Sequence, residues 1–546
     1  MTYWYDDVIV YGIDVKVFCD SNGDGFGDFR GLTGKLDYLT DLGIDCVWLL
    51  PFYPSPLRDN GYDVTDYCDV DPRLGTLDDF KAFMAAAKEH GIRVLIDLVA
   101  NHTSSDHAWF QAARQDRESP YRDYYVWVDE PPPNTGKTPV FPGVEDSNWT
   151  YDAAADAHYW HYFYRHQPGL NHRNPKVREE FRKVMAFWLQ LGVDGFRIDA
   201  APMMIADKGT EDPFSQSRHA IVREMRAYAE TINPEVVLLA EANTEPERLD
   251  EFFGSRTDAD EMNMLFNFLL NVYIFLVLAR GEAEQLHEFL RILPHTPENG
   301  QWLNFLRNHD ELDLSRLTEA EREDVFAAFA PDPAMRAYDR GIRRRLAPML
   351  NGDRRRMELA FSLLFSTPGT PLLMWGDEIG MGDDLSLEER ESVRTPMQWS
   401  RDSNGGFSSA PAAKLFRPVI DKGDFGYQRV NVAAQQGDSQ SFWHWMRRLM
   451  RCTHQLPELN HGEIDLIRAD DSSVLVHAST WEGKTTITIH NLSAEPCRVH
   501  CHFEGYDLSQ FEDVFDDQPY ERVEGSVIEL HGYGYRWLRS PAPQSD

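Results

Sequence analysis

The 546-residue chain carries 54 Lys and Arg against 89 Asp and Glu, a formal net charge of −35 at pH 7. That balance excludes a nucleic-acid binder, whose partner's phosphates would be repelled, and argues equally against an anionic lipid surface, while a neutral substrate is compatible with it. Length implies several domains, or one barrel of about 250 residues or more with appendages. The six cysteines (Cys19, Cys46, Cys68, Cys452, Cys497 and Cys501) form no CxxC pair and read as reduced thiols. The opening segment MTYWYDDVIVYG has no basic stretch followed by an apolar one, and no apolar run approaches the roughly 18 residues of a membrane span. The expectation is a soluble cytoplasmic protein, and a homo-oligomer is compatible with the sequence.

Short apolar runs recur along the chain at Val8–Ile13, Cys46–Leu50, Val94–Val99, Gly195–Ile198, Val236–Ala240, Met262–Phe268, Trp302–Leu306 and Leu372–Trp375. Amphipathic stretches such as Thr76–His90 and Pro175–Leu191 separate them. Strands alternating with helices predict βαβ units and a parallel sheet, and eight repeats predict a closed (β/α)₈ barrel, an α/β fold. The first part of the barrel spans residues 1–101 and the second part 172–455. Between them, residues 102–171 hold Pro131, Pro132, Pro133 and the aromatic Tyr159–Tyr164 cluster, and read as an inserted subdomain after the third strand. A second insertion, about 311–356, reads as helical and Arg-rich, with Arg343, Arg344, Arg345 and Arg354, Arg355, Arg356. In so acidic a protein these arginines are expected to make intramolecular ion pairs. Residues 456–546 change to alternating strands and predict a C-terminal antiparallel β domain.

Polar and ionisable residues stand just after the predicted strands: Asn101 and His102, Asp199, Glu241, His309 and Asp310, and Asp377. The C-terminal ends of barrel strands open on one face, so these residues converge on one pocket. Glycoside cleavage with retention needs two carboxylates about 5–5.5 Å apart, one attacking the anomeric carbon and one protonating the leaving oxygen. Asp199 and Glu241, on neighbouring strands, fit that requirement. Arg197 lies two residues before Asp199, points the same way on a strand, and can hold the nucleophile ionised.

DLVANH (Asp97–His102), GFRIDA (Gly195–Ala200), LLAEAN (Leu238–Asn243) and FLRNHDE (Phe305–Glu311) resemble, in order, four sequence blocks of the α-amylase family of glycoside hydrolases. The resemblance implies Asp199 as nucleophile, Glu241 as acid/base and Asp310 as transition-state stabiliser. It implies His102, Arg197 and His309 as contacts to the sugar in the cleaved subsite. RDNGYDVTDY resembles the block that holds the non-reducing-end glucose through Asp59 and Tyr62, and in RTPMQW the resemblance makes Arg394 close the same subsite. A longer similarity, including FAPDP, GIRRRLAPMLNGDRRRMEL and GDEIGMGD, points to the branch of the family that isomerises maltose to trehalose. The implied substrates are small neutral α-glucosides, with plain hydrolysis by an α-glucosidase or a trehalose-hydrolysing enzyme as the alternative and a non-catalytic relative as a remote one.

Some residues depart from that pattern. Gly169 in QPGLN stands where the related pattern has an aspartate, a calcium ligand in relatives that also use the residue matching Asn101. Met374 and Trp375 replace tyrosines, and Ile13–Phe18 and Asp199–Met204 also differ. These changes are expected to flank the pocket. A separate acidic loop, DSNGDGFGD, places Asp20, Asn22, Asp24 and Asp28 at alternate positions, like the first half of an EF-hand loop, although no Glu stands at the twelfth position. The family resemblance implies a structural Ca²⁺ or Mg²⁺ there, with Phe26 offering its carbonyl; a solvated acidic turn is the alternative. No phosphate loop or dinucleotide fingerprint occurs, and no organic cofactor is expected.

Overall fold

The computed structural model describes residues 3–137, 139–211, 214, 218–254, 259–523 and 525–541. Eight parallel strands close into a barrel in sequential order: β1 (Val10–Ile13), β2 (Cys46–Leu49), β3 (Arg93–Leu98), β4 (Gly195–Ile198), β5 (Val237–Ala240), β6 (Met264–Phe266), β7 (Gln301–Phe305) and β8 (Thr370–Met374). Each falls on one of the eight apolar runs, a residue or two shorter or shifted at the ends. The strands are buried almost throughout, the condition under which parallel strands read as unbroken apolar runs. The helix Leu77–Glu89 begins at a capping box between Thr76 and Asp79, and Pro175–Gln190 begins with Asn174 capping Lys176 N–H and Pro175 in the first turn. At the start of β4 only glycine fits, because a Cβ on Gly195 would lie 2.2 Å from the Val237 carbonyl oxygen.

Between β3 and β4 the chain forms a helix, Ala108–Gln115, and a three-stranded antiparallel sheet of Trp127–Val128, Trp149–Asp152 and Ala157–Trp160. After β7 the second insertion is helical only in part. Glu319–Phe329 is a helix, but Leu312–Asp313, Arg336–Ala337 and Gly341–Ile342 form a small antiparallel sheet. Two-residue strands carry no readable period, so the sequence pattern showed only the helix. The arginine runs are engaged within the chain. Arg344 pairs with Asp383 at 3.3 Å, Arg354 with Glu358 at 2.6 Å, and Arg343 donates to the Leu387 carbonyl at 2.6 Å.

Beyond residue 462 lie a five-stranded antiparallel sheet and a two-stranded one. The larger sheet docks on the barrel helix Arg354–Ser366: His477 Nε2 donates to the Ser366 carbonyl at 2.8 Å, and the Trp537 indole donates to Ser362 Oγ at 2.9 Å. Leu475, Phe515, Tyr535 and Trp537 share one apolar core with the barrel. Among the described residues, no helix is long and apolar enough to cross a membrane, and all six cysteines are free thiols.

Candidate active site

Asp199 directly follows β4 and Glu241 directly follows β5; Asp310 stands five residues after β7. The chain turns sharply after Asp199. Ala200 adopts φ +45°, a left-handed conformation rare for a residue with a Cβ, and its N–H donates to Glu241 Oε2 at 3.0 Å. The backbone strain thus fixes the two carboxylates against each other.

One guanidinium organises the floor. Arg197 Nη1 lies 2.5 Å from Asp97 Oδ1 and 2.7 Å from Asp199 Oδ1, while Nη2 lies 2.9 Å from Glu241 Oε2. Three carboxylates around one cation leave surplus negative charge in a buried site. Burial pushes the Asp97 carboxyl up to about 6, against the pull of Arg197. Burial likewise raises Asp199, with Arg197 opposing and Glu241 reinforcing the rise. Asp97 and Asp199 thus share the single Arg197 charge, and each opposes ionisation of the other.

Asp310 is held differently. Arg390 and Arg394 each donate to its Oδ1 at 2.7 Å, and His309 Nε2 lies 3.2 Å from Oδ2. Burial alone would raise this carboxyl, but His309, Arg390 and Arg394 outweigh it and hold it far below the usual carboxylate range. Burial also keeps the His309 imidazole well below its ordinary pKa. The same Nε2 is 2.7 Å from the Tyr62 hydroxyl, and the two rings are parallel to within 6°. His102, pushed down to about 4 by burial, donates from Nε2 to the Tyr62 carbonyl at 3.1 Å.

Asp59, Tyr62, His102, Asp199, Glu241 and Asp310 line one cavity. Arg197 lies beneath it and His309 behind Tyr62. Arg394 is 1% exposed and grips Asp310 from behind. Arg340 and Arg390 are the arginines that line the cavity; sequence reading missed Arg390, whose Nη2 lies 3.1 Å from Asp59 Oδ1 and whose Nη1 bonds Asp310, bridging the two. The signal was its place four residues before Arg394, but no motif marks it. Of the departures from pattern, Ala200, Pro202 and Met203 do line the cavity. Met374 and Trp375 do not: Met374 packs against Gly12, and the Trp375 indole donates to the Thr395 carbonyl at 3.0 Å. Asp377 also turns away, accepting the Met374 N–H at 2.9 Å.

The two insertions meet across the cavity mouth. Arg340 Nη1 donates to the Val140 carbonyl at 2.8 Å and its Nε lies 3.4 Å from Asp313. The Tyr164 and Tyr338 hydroxyls share Glu389 Oε2, at 2.9 and 2.8 Å. Between them the Phe141 ring stacks on Tyr164 and packs tilted against Tyr338, with centroids 4.7 and 4.8 Å away, and lies under Arg390 at 4.9 Å. A wider cleft between the inserted sheet and the barrel, lined by Arg122, Trp127, His172 and Lys208, contains none of the strand-end carboxylates. Beside Gly169, the buried Lys208 Nζ donates to the Leu170 carbonyl at 2.7 Å, putting a lysine side chain, its pKa pulled down to about 7 by burial, next to the segment where the related pattern has its aspartate.

In the acidic loop the side-chain oxygens bind the loop's own backbone. Asp20 Oδ1 accepts from Asn22 and Gly23 N–H at 3.0 and 2.7 Å, Asn22 Oδ1 from Asp24 N–H at 2.8 Å, and Asp24 Oδ1 from Phe26 N–H at 2.9 Å. Asp28 caps the helix Phe29–Thr33 through Gly31 N–H. The donor set is oxygen only and suits a hard cation.

A parallel (β/α)₈ barrel with carboxylates at the ends of β4, β5 and β7 is the architecture of a sugar-cleaving or sugar-transferring enzyme. The chain belongs to the α-amylase family: the model for the alpha amylase catalytic domain matches residues 13–329 and 340–462, and that for a sucrose hydrolase-like C-terminal domain matches 483–539. It is 44% identical to the trehalose synthase of Thermus thermophilus over 561 residues, covering 99% of this chain and 58% of that longer protein. It is 41% identical to the trehalose synthase of Pimelobacter sp. (strain R48), covering 99% and 96% of the two chains. Among solved structures, a trehalulose synthase variant in complex with Tris is 27% identical with a TM-score of 0.80, covering 98% of this chain and all of that one.

Proposed function

We propose that the protein isomerises maltose to trehalose by double displacement, with hydrolysis to glucose as the minor course. Asp199 attacks the anomeric carbon while Glu241, as the acid/base, protonates the leaving oxygen. The released glucose turns over beneath the roof, its anomeric hydroxyl attacks the same carbon and displaces the Asp199 carboxylate, and Glu241 takes the hydroxyl proton back. Two inversions leave the α configuration. Asp310, kept ionised by its arginines, accepts hydrogen bonds from the sugar and stabilises the oxocarbenium-like transition state, with Asp59, Tyr62 and His102 placing the ring and His309 holding Tyr62 from behind.

One observation carries the choice of isomerisation over hydrolysis. The Arg340–Val140 and Tyr164–Glu389–Tyr338 contacts clasp two separate insertions over the carboxylates. A clasped mouth slows escape of the freed glucose and keeps water out. The trehalose synthase relatives support the same reading. The test is maltose supplied with isotopically labelled free glucose. Trehalose with little label supports retention; glucose as sole product refutes isomerisation.

The same reading keeps a structural Ca²⁺ or Mg²⁺ at the acidic loop as a proposal, held by Asp20, Asn22, Asp24, the Phe26 carbonyl and Asp28. Chelator should lower the melting temperature, and Asp24→Ala should remove that sensitivity. A chelator-insensitive curve with no metal by elemental analysis would leave the hydrogen-bonded turn as the whole structure. The six free thiols accord with a reducing, cytoplasmic setting.

A further inference from the structure

The chemistry at the barrel mouth uses no residue of the C-terminal sheets, yet three metal-ligating side chains converge there. His500 ends the strand Cys497–His500, and His502 follows two residues later. A second stretch runs antiparallel beside them. Ala469 bridges Cys501, the Asp470 N–H donates to the His500 carbonyl at 3.0 Å, and the His502 N–H donates to the Arg468 carbonyl at 2.8 Å. Side chains alternate between faces in extended backbone. Cys501 is fully buried, so His500 and His502 project from the opposite face, with Asp470 across from them. Asp470 Oδ1 lies 2.8 Å from His502 Nε2, and its Oδ2 lies 3.7 Å from His500 Nδ1. Among the described residues, these three form the one group of His, Cys, Asp or Glu whose ligand atoms all lie within 4.8 Å of one another.

We propose that Asp470, His500 and His502 form a binding site for a divalent transition metal of the zinc class. Metal bonds of about 2.0 Å in a tetrahedron set ligand atoms roughly 3.3 Å apart. The contacts of 2.8 Å from Asp470 Oδ1 to His502 and 3.7 Å from Asp470 Oδ2 to His500 lie either side of that spacing, and one ligand atom from each residue falls within 4.8 Å of the others, so closing on an ion needs side-chain rotation and no backbone rearrangement. Two imidazoles and one carboxylate suit zinc, copper, nickel or cobalt and not calcium or magnesium. The side chains of Asp470, His500 and His502 are 52, 46 and 37% exposed, which gives the ion a path in and leaves room for a water ligand. Their registration by backbone hydrogen bonds lowers the ordering cost of binding. Arg468, on the same face, opposes the added positive charge and tempers affinity. The bound ion would staple the segment following strand Glu463–Ile467, an edge of the five-stranded sheet, to the two-stranded sheet.

The experiment titrates Zn²⁺ into chelator-stripped full-length protein by calorimetry, beside His500→Ala and His502→Gln. The same samples are titrated with Co²⁺ and followed by visible absorption. The wild type is expected to take up one equivalent of Zn²⁺ more than either variant, and to show tetrahedral Co²⁺ bands that both variants lack. Zn²⁺ should raise its melting temperature and leave those of the variants unmoved, and excess Ca²⁺ should not displace Co²⁺. Equal Zn²⁺ uptake by wild type and both variants, or none by the wild type, overturns the site. If His500→Ala loses its near-ultraviolet circular dichroism, His502→Gln and Asp470→Asn, which keep a polar group in place, carry the comparison.

Discussion

Arg197 is the pivot of the site, since it alone contacts Asp97, Asp199 and Glu241. Replacing an acid/base group typically removes about a hundredfold to ten-thousandfold in rate, and Glu241→Gln should fall in that range. Asp199→Ala should abolish turnover while melting within a few degrees of wild type, because the residue faces a cavity and packs no core. Turnover of Asp199→Ala within tenfold of wild type would remove it from the nucleophile's place. Asp199 and Glu241 were legible in the sequence because each follows an apolar strand directly, and Asp310 because it stands in the FLRNHDE block five residues beyond one. Arg390 was not. It sits in the single-turn segment Glu389–Val393, and its bond to Asp59 spans 331 residues of chain. Nothing local records such a contact, whereas Arg394 has a motif around it and yet stands one layer behind.

At the scale of elements, the eight barrel strands were readable because full burial makes them continuous apolar runs. The short strands of the second insertion were not, and neither was what that insertion does. Its sheet presents Arg340 to the Val140 carbonyl and Tyr338 to Glu389, and those contacts form only once two distant insertions fold over one mouth. Arg340→Ala removes the direct bond between them without touching Asp199 or Glu241. The expected outcome is a several-fold rise in the glucose-to-trehalose ratio from maltose, with total maltose consumption changed far less. An unchanged ratio would show that the Arg340 contact does not govern retention. The acidic loop reaches beyond itself in the same manner: Asp20 Oδ2 accepts from Ser408 Oγ at 2.5 Å, joining the loop after β1 to a segment almost four hundred residues away. A melting-temperature loss on chelation would therefore report loosening of both.

At the scale of the whole molecule, the C-terminal sheet and the barrel share one apolar core, and His477 lies at their seam. Burial holds its imidazole down to about 4. An unfolded chain has its histidines near 6.5 and so takes up the proton first as pH falls. The stabilisation from keeping His477 neutral is therefore complete above about pH 6.5 and is lost progressively towards pH 4. Between pH 6.5 and 5 the wild type should lose about 2 kcal/mol more stability than His477→Gln, whose side chain does not titrate. Parallel curves from urea unfolding would place the titration elsewhere. The clasped roof has a thermal consequence. Each cycle creates a glucose that is either recaptured or released, and release requires the clasp to open. Opening breaks several hydrogen bonds at once, so it carries a large enthalpy and accelerates with heating more steeply than reorientation of a small sugar beneath a closed roof. The proportion of free glucose should therefore climb with temperature at constant substrate, and the product mixture becomes a record of how often the enzyme breathes.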